Sequence, residues 1–537
     1  MQALRQQHRR AGIGQQMTLE VFVPKIGSTV FRKQRSIIDD AIELAERLHG
    51  GWHQRAHGLF IGQIGLQRHS AAAKRTDVLR QLQRFRFGTT VMQRHIPALA
   101  SHVERNVAAY AFCRAGNQGR PDRVAGFNSS HGNSLLGLSG FYYNAGMQKL
   151  SLPVPAPEAL AASQKLQHHI LQDIQKQNGW IPFSRYMELA LYAPDLGYYS
   201  GGAIKLGKDG DFTTAPEMTP LFGATLAGFY ASLLPAIGAQ VMEFGAGTGK
   251  LACDFLTECQ LSGITVERYF IVDLSGELRA RQEAMLKSFP QVAWLQQMPE
   301  AFSGLVIGNE VLDAMPVDLV IKRASGWREV GVSAAAEGEA ACFRLEERPC
   351  HADKLAQIPD AKSLHDAYLT EVHTIAMGFM RSLCKMLAAG EQASGKAGLA
   401  VLIDYGFPAP EYYHPQRNQG TLMCHYRHHA HPDAFYLPGL QDITAHVEFT
   451  AVARAALEAG AEVLAYTSQA GFLLGAGIAD LLARTPAEQA LDYLPRANAL
   501  QKLVSPAEMG ELFKVLIVGS QVALPAGVQQ QNRSHRL

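Results

Sequence analysis

The sequence predicts an α/β fold built on a mostly parallel sheet with helices on both faces. Three observations carry that prediction. Short, nearly continuous apolar runs recur at Val241–Phe244, Arg268–Asp273, Val292–Leu295, Gly304–Gly308 and Leu399–Ile403, as expected of strands buried on both sides. Helical stretches separate these runs, which favours parallel crossovers. The first run also feeds a turn with glycine at alternate positions, Gly245, Gly247 and Gly249, followed by a helix over Lys250–Cys259.

Length, composition and charge bound the rest. At 537 residues the chain exceeds one ordinary core, and 47% hydrophobic with 18% charged residues is a globular composition. The net charge of +2 conceals a split. Residues 1–146 carry 20 Lys+Arg against 8 Asp+Glu, whereas 147–537 carry 30 against 40. The basic part reads as an RNA-binding extension, a disordered tail, or sequence upstream of a start at Met147. The chain from Met147 onward looks complete by itself, which favours the last reading. Seven scattered cysteines (Cys113, Cys253, Cys259, Cys342, Cys350, Cys384, Cys424) form no CxxC pair and fit reduced thiols in the cytoplasm, or in the mitochondrial matrix of a eukaryote. No apolar run reaches the roughly 18–20 residues of a membrane span.

Within 147–239 a helix is expected over Ala159–Gln177, closed by Asn178-Gly179. A second follows Pro182, with Ser184 as candidate N-cap, and ends at Ala193-Pro194. Gly197-Tyr-Tyr and the glycine-punctuated stretch to Glu217 read as a lid or packing loop, and Pro220–Leu234 as helix. The core domain, 240–537, takes a helix at Gly276–Lys287 after strand two. Between strands four and five, about 320–395 reads as an insertion: a hairpin of Trp327–Val332 and Ala341–Glu346, then a helix from about Asp366 to Leu387. Ala461–Gln469 and Glu511–Val518 read as the last strands.

The chemistry follows from the glycine turn. Dinucleotide binding wants G-x-G-x-x-G, which from Gly245 would need a glycine where Lys250 stands. The pattern is E-x-G-x-G-x-G, and Glu243 inside the strand suits a cationic, amino-acid-bearing nucleotide, S-adenosylmethionine. Asp273, ending strand two, is placed to hydrogen-bond ribose hydroxyls, and Gln296–Met298 to read an adenine edge. After strand four, Glu310 and Asp313 are the candidates for gripping a methyl acceptor. Methyl transfer from a sulfonium needs no metal but an aligned nucleophile. If the acceptor is arginine, which stays protonated, carboxylates must orient it. His414, Cys424, His425, His428, His429 and His431 lack a second cysteine pair and read as a histidine-rich surface or substrate loop rather than a zinc site. Asp442-Ile-Thr-Ala-His446 reads as a helix N-terminus capped by Asp442 or Thr444.

Several longer motifs are specific. They are Phe183-Ser-Arg-Tyr-Met-Glu-Leu-Ala-Leu-Tyr-Ala-Pro, Gly197-Tyr-Tyr, Gly210-Asp-Phe-Thr-Thr-Ala-Pro-Glu, Glu243-Phe-Gly-Ala-Gly-Thr-Gly, Gly308-Asn-Glu-Val-Leu-Asp-Ala-Met-Pro-Val, Asp404-Tyr-Gly-Phe, Gly420-Thr-Leu and Asp442-Ile-Thr-Ala-His-Val. In this order, from about Ile170 to Val518, the chain closely resembles the MidA family, class I S-adenosylmethionine-dependent methyltransferases related to the mitochondrial complex I assembly arginine methyltransferase. Nothing in 1–146 takes part. The resemblance implies a Rossmann-like class I fold, with seven mostly parallel strands, an antiparallel last strand and a substrate-capping insertion. In the mitochondrial relatives it implies symmetric dimethylation of an arginine on a complex I subunit. It assigns Glu243, Gly245, Ala246, Gly247 and Gly249 to the cofactor motif, and Asn309, Glu310 and Asp313 to the motif after strand four. Asp273 departs, since family members often carry Glu there; the shorter acid still reaches a ribose.

The leading expectation is a protein-arginine methyltransferase, with S-adenosylmethionine as cofactor and a protein substrate. RNA or small-molecule methylation is the second reading, although the acidic charge of 147–537 disfavours phosphate binding. A third is an assembly factor that retains the cofactor site without catalysis.

Overall fold

The computed structural model describes residues 152–201, 214–273, 276–337 and 340–537. All lie in one of the two compact units of the chain, Ala98–Leu537. The basic N-terminal extension, in which Ile37–Leu48 has the apolar spacing of an amphipathic helix, and Gly210–Thr213 of the lid motif fall outside the described residues.

The core is an α/β layer around an eight-stranded mixed sheet. Its seven main strands are β1 (Gln240–Phe244), β2 (Arg268–Val272), β3 (Val292–Leu295), β4 (Leu305–Asn309), β5 (Leu399–Phe407), β6 (Glu462–Ser468) and β7 (Phe513–Gly519). Across the sheet they run β6-β7-β5-β4-β1-β2-β3, and the short strand Val447–Glu448 pairs beside β5. β1 pairs in parallel with both β2 and β4, and β4 with β5; β7 is antiparallel to β5 and β6.

Residue parity decides which face each side chain buries. Val241, Leu305, Ile307, Val401 and Ile403 pack with helices Pro220–Leu233 and Lys250–Leu261. Met242, Phe244, Val306, Ala400 and Leu402 pack with helices Thr374–Ser394 and Phe449–Glu458. Both faces are dry, which explains the near-continuous apolar runs.

A second, antiparallel sheet stands beside the core. Strand Gly326–Glu337 pairs along one edge with Ala340–Pro349. Its other edge pairs first with Asp318–Arg323 and then with Trp180–Pro182, while Leu369–Val372 extends the sheet beyond Asp318–Arg323. The helices Pro157–Lys176 and Phe183–Tyr192 cover it through Leu166, Ile170, Phe183 and Tyr186 against Leu319, Ile321, Val330 and Val332. Gly179, with φ 83°, closes the first helix by donating its amide to the Ile174 carbonyl at 2.8 Å.

Four local expectations are corrected. Ser184 is no N-cap: it sits inside helix Phe183–Tyr192, and its hydroxyl donates to Asp318 Oδ1 at 2.6 Å. The helix expected from Asp366 begins at Thr374, because Leu369–Val372 is claimed as a strand by Asp318–Arg323. β5 runs beyond Ile403, through Asp404 and Tyr405 to Phe407. Asp442–Thr444 is a strand paired with Met423–Tyr426; the helix starts at Phe449, and its cap is Glu448, whose carboxylate accepts from the Thr450 and Ala451 amides at 2.8 and 3.0 Å. A cross-strand partner outweighs a local capping signal here.

Candidate active site

The turn after β1 bends through left-handed backbone at Gly245 (φ 63°), Gly247 (φ 54°) and Gly249 (φ 87°), a conformation that only glycine adopts freely. A β-carbon at Gly245 would stand 3.0 Å from Val311 Cγ1, so the Val311 side chain after β4 packs close against the bare turn after β1. A cavity of about 650 Å3 opens there. Glu243, Gly245, Ala246, Gly247, Asp273, Asn309, Glu310 and Asp313 all line it. Gly249 does not; it serves as N-cap of helix Lys250–Leu261.

One end of the cavity is anionic and partly apolar. Glu243 is 3% exposed and accepts a hydrogen bond from the Tyr269 hydroxyl at 2.6 Å. Burial pushes its carboxyl up to about 7 against that hydrogen bond, and Asp273 adds to the shift. Asp273 accepts from Gln282 Nε2 at 2.8 Å. Asn309 donates from Nδ2 to Glu310 Oε1 at 3.1 Å, while its Oδ1 is buried with no hydrogen-bond partner. Gln296, Gln297, Met298 and Phe379 complete this end. A bare glycine turn, a strand-end carboxylate and an orphaned carbonyl oxygen fit a nucleoside carrying an ammonium-bearing tail.

The other end gathers carboxylates and phenols. Glu310 holds a left-handed φ of 55°, unusual for a non-glycine residue, and its amide donates to the Ile403 carbonyl at 2.8 Å. Buried Asp404 accepts from the Leu312 and Asp313 amides at 2.8 and 3.2 Å, which pins the turn that presents Glu310 and Asp313. Burial raises all three acids: Glu310 to about 8, Asp313 to about 6, and Asp404 well above the carboxylate range. Asp313 adds to the rise of Glu310, and Asp313 and Glu310 to that of Asp404.

Around them, Tyr405 donates to Asp313, and Tyr199 donates to Asp442 at 3.0 Å. Tyr192 stacks on Tyr199 with ring centroids 5.5 Å apart and donates to the Ala314 carbonyl at 2.9 Å. His446 lies flat on Phe407 at 5.3 Å and edge-on to Tyr405 at 5.0 Å. Burial pushes its imidazole down to about 3, helped by the Arg417 cation, so it is a neutral wall.

Sequence reasoning missed several of these groups. The sequence reads Asp442 or Thr444 as a helix cap, yet both line the cavity, with His446 beside them and His425 from strand Met423–Tyr426. Tyr192, Tyr198 and Tyr199 supply the wall expected of a lid, whereas among the described residues of block 320–395 only Phe379 is in the lining. Among the described residues no group of His, Cys, Asp and Glu is arranged to hold a metal, and no helix is long and apolar enough to cross a membrane.

Comparison with known proteins accords with this geometry. The profile of a family of S-adenosyl-L-methionine-dependent methyltransferases matches residues 222–467. The mitochondrial protein arginine methyltransferase NDUFAF7 of Mus musculus is 28% identical over 400 residues, 68% of this chain and 86% of that protein. Its homologue in Drosophila melanogaster is 25% identical over 412 residues, 69% of this chain and 89% of that protein. A superfamily member from Burkholderia thailandensis, crystallised bound to S-adenosylhomocysteine, is 52% identical, with a TM-score of 0.66, over 72% of this chain and all of that one. The chain belongs to the MidA-like family of S-adenosylmethionine-dependent methyltransferases. Its cofactor is S-adenosylmethionine.

Proposed function

We propose that the enzyme methylates an arginine side chain of a protein substrate. One observation carries the reading: Glu310, raised by burial and by the neighbouring acids Asp313 and Asp442, and Asp313, raised by burial, face one cavity with the glycine turn. A guanidinium is the cation such a site lacks, because it stays protonated at any working pH and presents a planar fork to two carboxylates. The names of the mitochondrial relatives support the same acceptor.

In this reading Glu243, Gly245, Ala246, Gly247, Asp273 and Asn309 hold S-adenosylmethionine, Gly249 shapes the turn, and the strand order supports the class I arrangement. The bound cofactor supplies an electrophilic methyl on sulfonium. Glu310 and Asp313 orient the guanidinium and favour its charge in the transition state. The guanidinium nitrogen that gains the methyl must lose a proton; Glu310 in its ionised form, with its proton affinity raised by burial, would accept it. Tyr192, Tyr199 and Tyr405 enclose this end and exclude water.

We take 147–239 and 240–537 as one working enzyme, with 1–146 an extension outside it. The 52% identical relative is bacterial, which favours the cytoplasm over a mitochondrial matrix.

The test is transfer of tritiated methyl from S-adenosylmethionine to cell lysate. Label that survives nuclease and hydrolyses to methylarginine is expected. Nuclease-sensitive label, or label on another amino acid, overturns the acceptor assignment, and no label at all points to a non-catalytic assembly factor.

A further inference from the structure

The helix Gly276–Met285 follows β2 and carries a fully buried glutamine, Gln282, that no motif singled out. Its Nε2 donates to Asp273 Oδ2 at 2.8 Å and to the Gly247 carbonyl at 2.9 Å. Its Oε1 accepts from Trp294 Nε1 on β3 at 2.9 Å. An indole nitrogen only donates, so the amide has one orientation: oxygen toward Trp294, nitrogen toward the carboxylate and the turn. One side chain thereby joins the glycine turn, the end of β2 and β3. It also touches the turn sterically, since a β-carbon at Gly249 would meet Gln282 Cα and Cγ at 3.4 Å.

We propose that Gln282 is a positioning residue for the cofactor. It holds one oxygen of Asp273 so that the carboxylate presents its other face to the ribose hydroxyls, and it ties that orientation to the conformation of Gly247. An aspartate has one fewer methylene than glutamate and reaches less far, so its rotamer must be set from behind; the Trp294–Gln282 pair supplies that setting. Gln282 acts through Asp273, with the Gly247 carbonyl as its second anchor. The inference rests on Asp273 being the ribose-binding acid.

The test compares S-adenosylhomocysteine with its 2′,3′-dideoxy analogue by calorimetry on the full-length protein. Wild type is expected to favour the hydroxylated ligand. Gln282→Leu, close in volume, should weaken S-adenosylhomocysteine roughly tenfold and leave the dideoxy analogue nearly unchanged, because only the hydroxyls report on the carboxylate. Gln282→Glu sets a second carboxylate against Asp273 and should weaken the hydroxylated ligand more, with recovery as pH falls. Trp294→Phe, which keeps the packing but frees the amide to flip, should give a smaller loss of the same selectivity.

Equal losses for both ligands in Gln282→Leu, or no loss for either, overturn the proposal and leave Gln282 a structural residue. Asp273→Asn separates the failures: if that variant still distinguishes the two ligands, the ribose assignment itself is wrong.

Discussion

The Tyr405 hydroxyl donates to Asp313 Oδ2 at 2.6 Å, joining β5 to the turn after β4. That hydrogen bond works against the burial that raises the Asp313 carboxyl to about 6. Tyr405→Phe therefore raises the Asp313 pKa further. If the ionised form orients the acceptor, the acid limb of the pH profile of kcat/KM should move to higher pH, with the plateau lowered about tenfold. An unmoved limb would detach Asp313 from the reaction.

Glu310 carries the opposite trade. Its folded carboxyl titrates at about 8, above the ordinary 4.5. Between those values the folded state binds more protons than the unfolded one, so rising pH costs stability across that window. Glu310→Gln removes the cost. The variant should melt at the same temperature as wild type near pH 4.5 and about 2–4 °C higher near pH 8. Methyl transfer should fall by about a hundredfold or more. Thermal melts at the two pH values, beside a single-turnover assay, check both halves.

Asp442, which accepts from the Tyr199 hydroxyl, lies close enough to Glu310 to help raise its carboxyl. Asp442→Asn should raise KM for an arginine peptide about tenfold while leaving S-adenosylmethionine affinity unchanged. Equal losses on both would mean that the cavity is not divided as proposed.

Gly420 wraps the loop Gly420-Thr-Leu around a buried carboxylate, with the Thr421 and Leu422 amides donating to Glu371 Oε1 at 2.6 and 2.9 Å. Its φ is 72°, and a β-carbon would stand 2.4 Å from Glu371 Oε1. Gly420→Ala should cost about 2 kcal/mol or more by chemical denaturation, without changing cofactor affinity in the fraction that folds.

Local signals made the glycine-turn end of the cavity legible. The strand, the three glycines and the helix from Lys250 are contiguous, and each residue type has a conformational reason to be there. The carboxylates after β4 could be read because a strand end predicts where its next residues point. The acceptor wall was less legible because it is assembled from afar. Asp442 is placed by pairing with His425, and Tyr199 reaches it across 243 positions. Even Ser184, a good N-cap by type, is turned aside by an aspartate 134 positions away.

Strand Trp180–Pro182 fills the outer half of one edge of Gly326–Glu337. A fragment begun at Gln240 would retain every core strand yet leave the backbone of Gly331–Ser333 bare, and an open edge invites other chains. It would also uncover Ile321, Val330 and Val332, which helix Phe183–Tyr192 shields. A fragment begun there should therefore associate and precipitate where the longer chain stays dispersed, because the segment ahead of the glycine turn seals an edge and a face that the core cannot cover by itself.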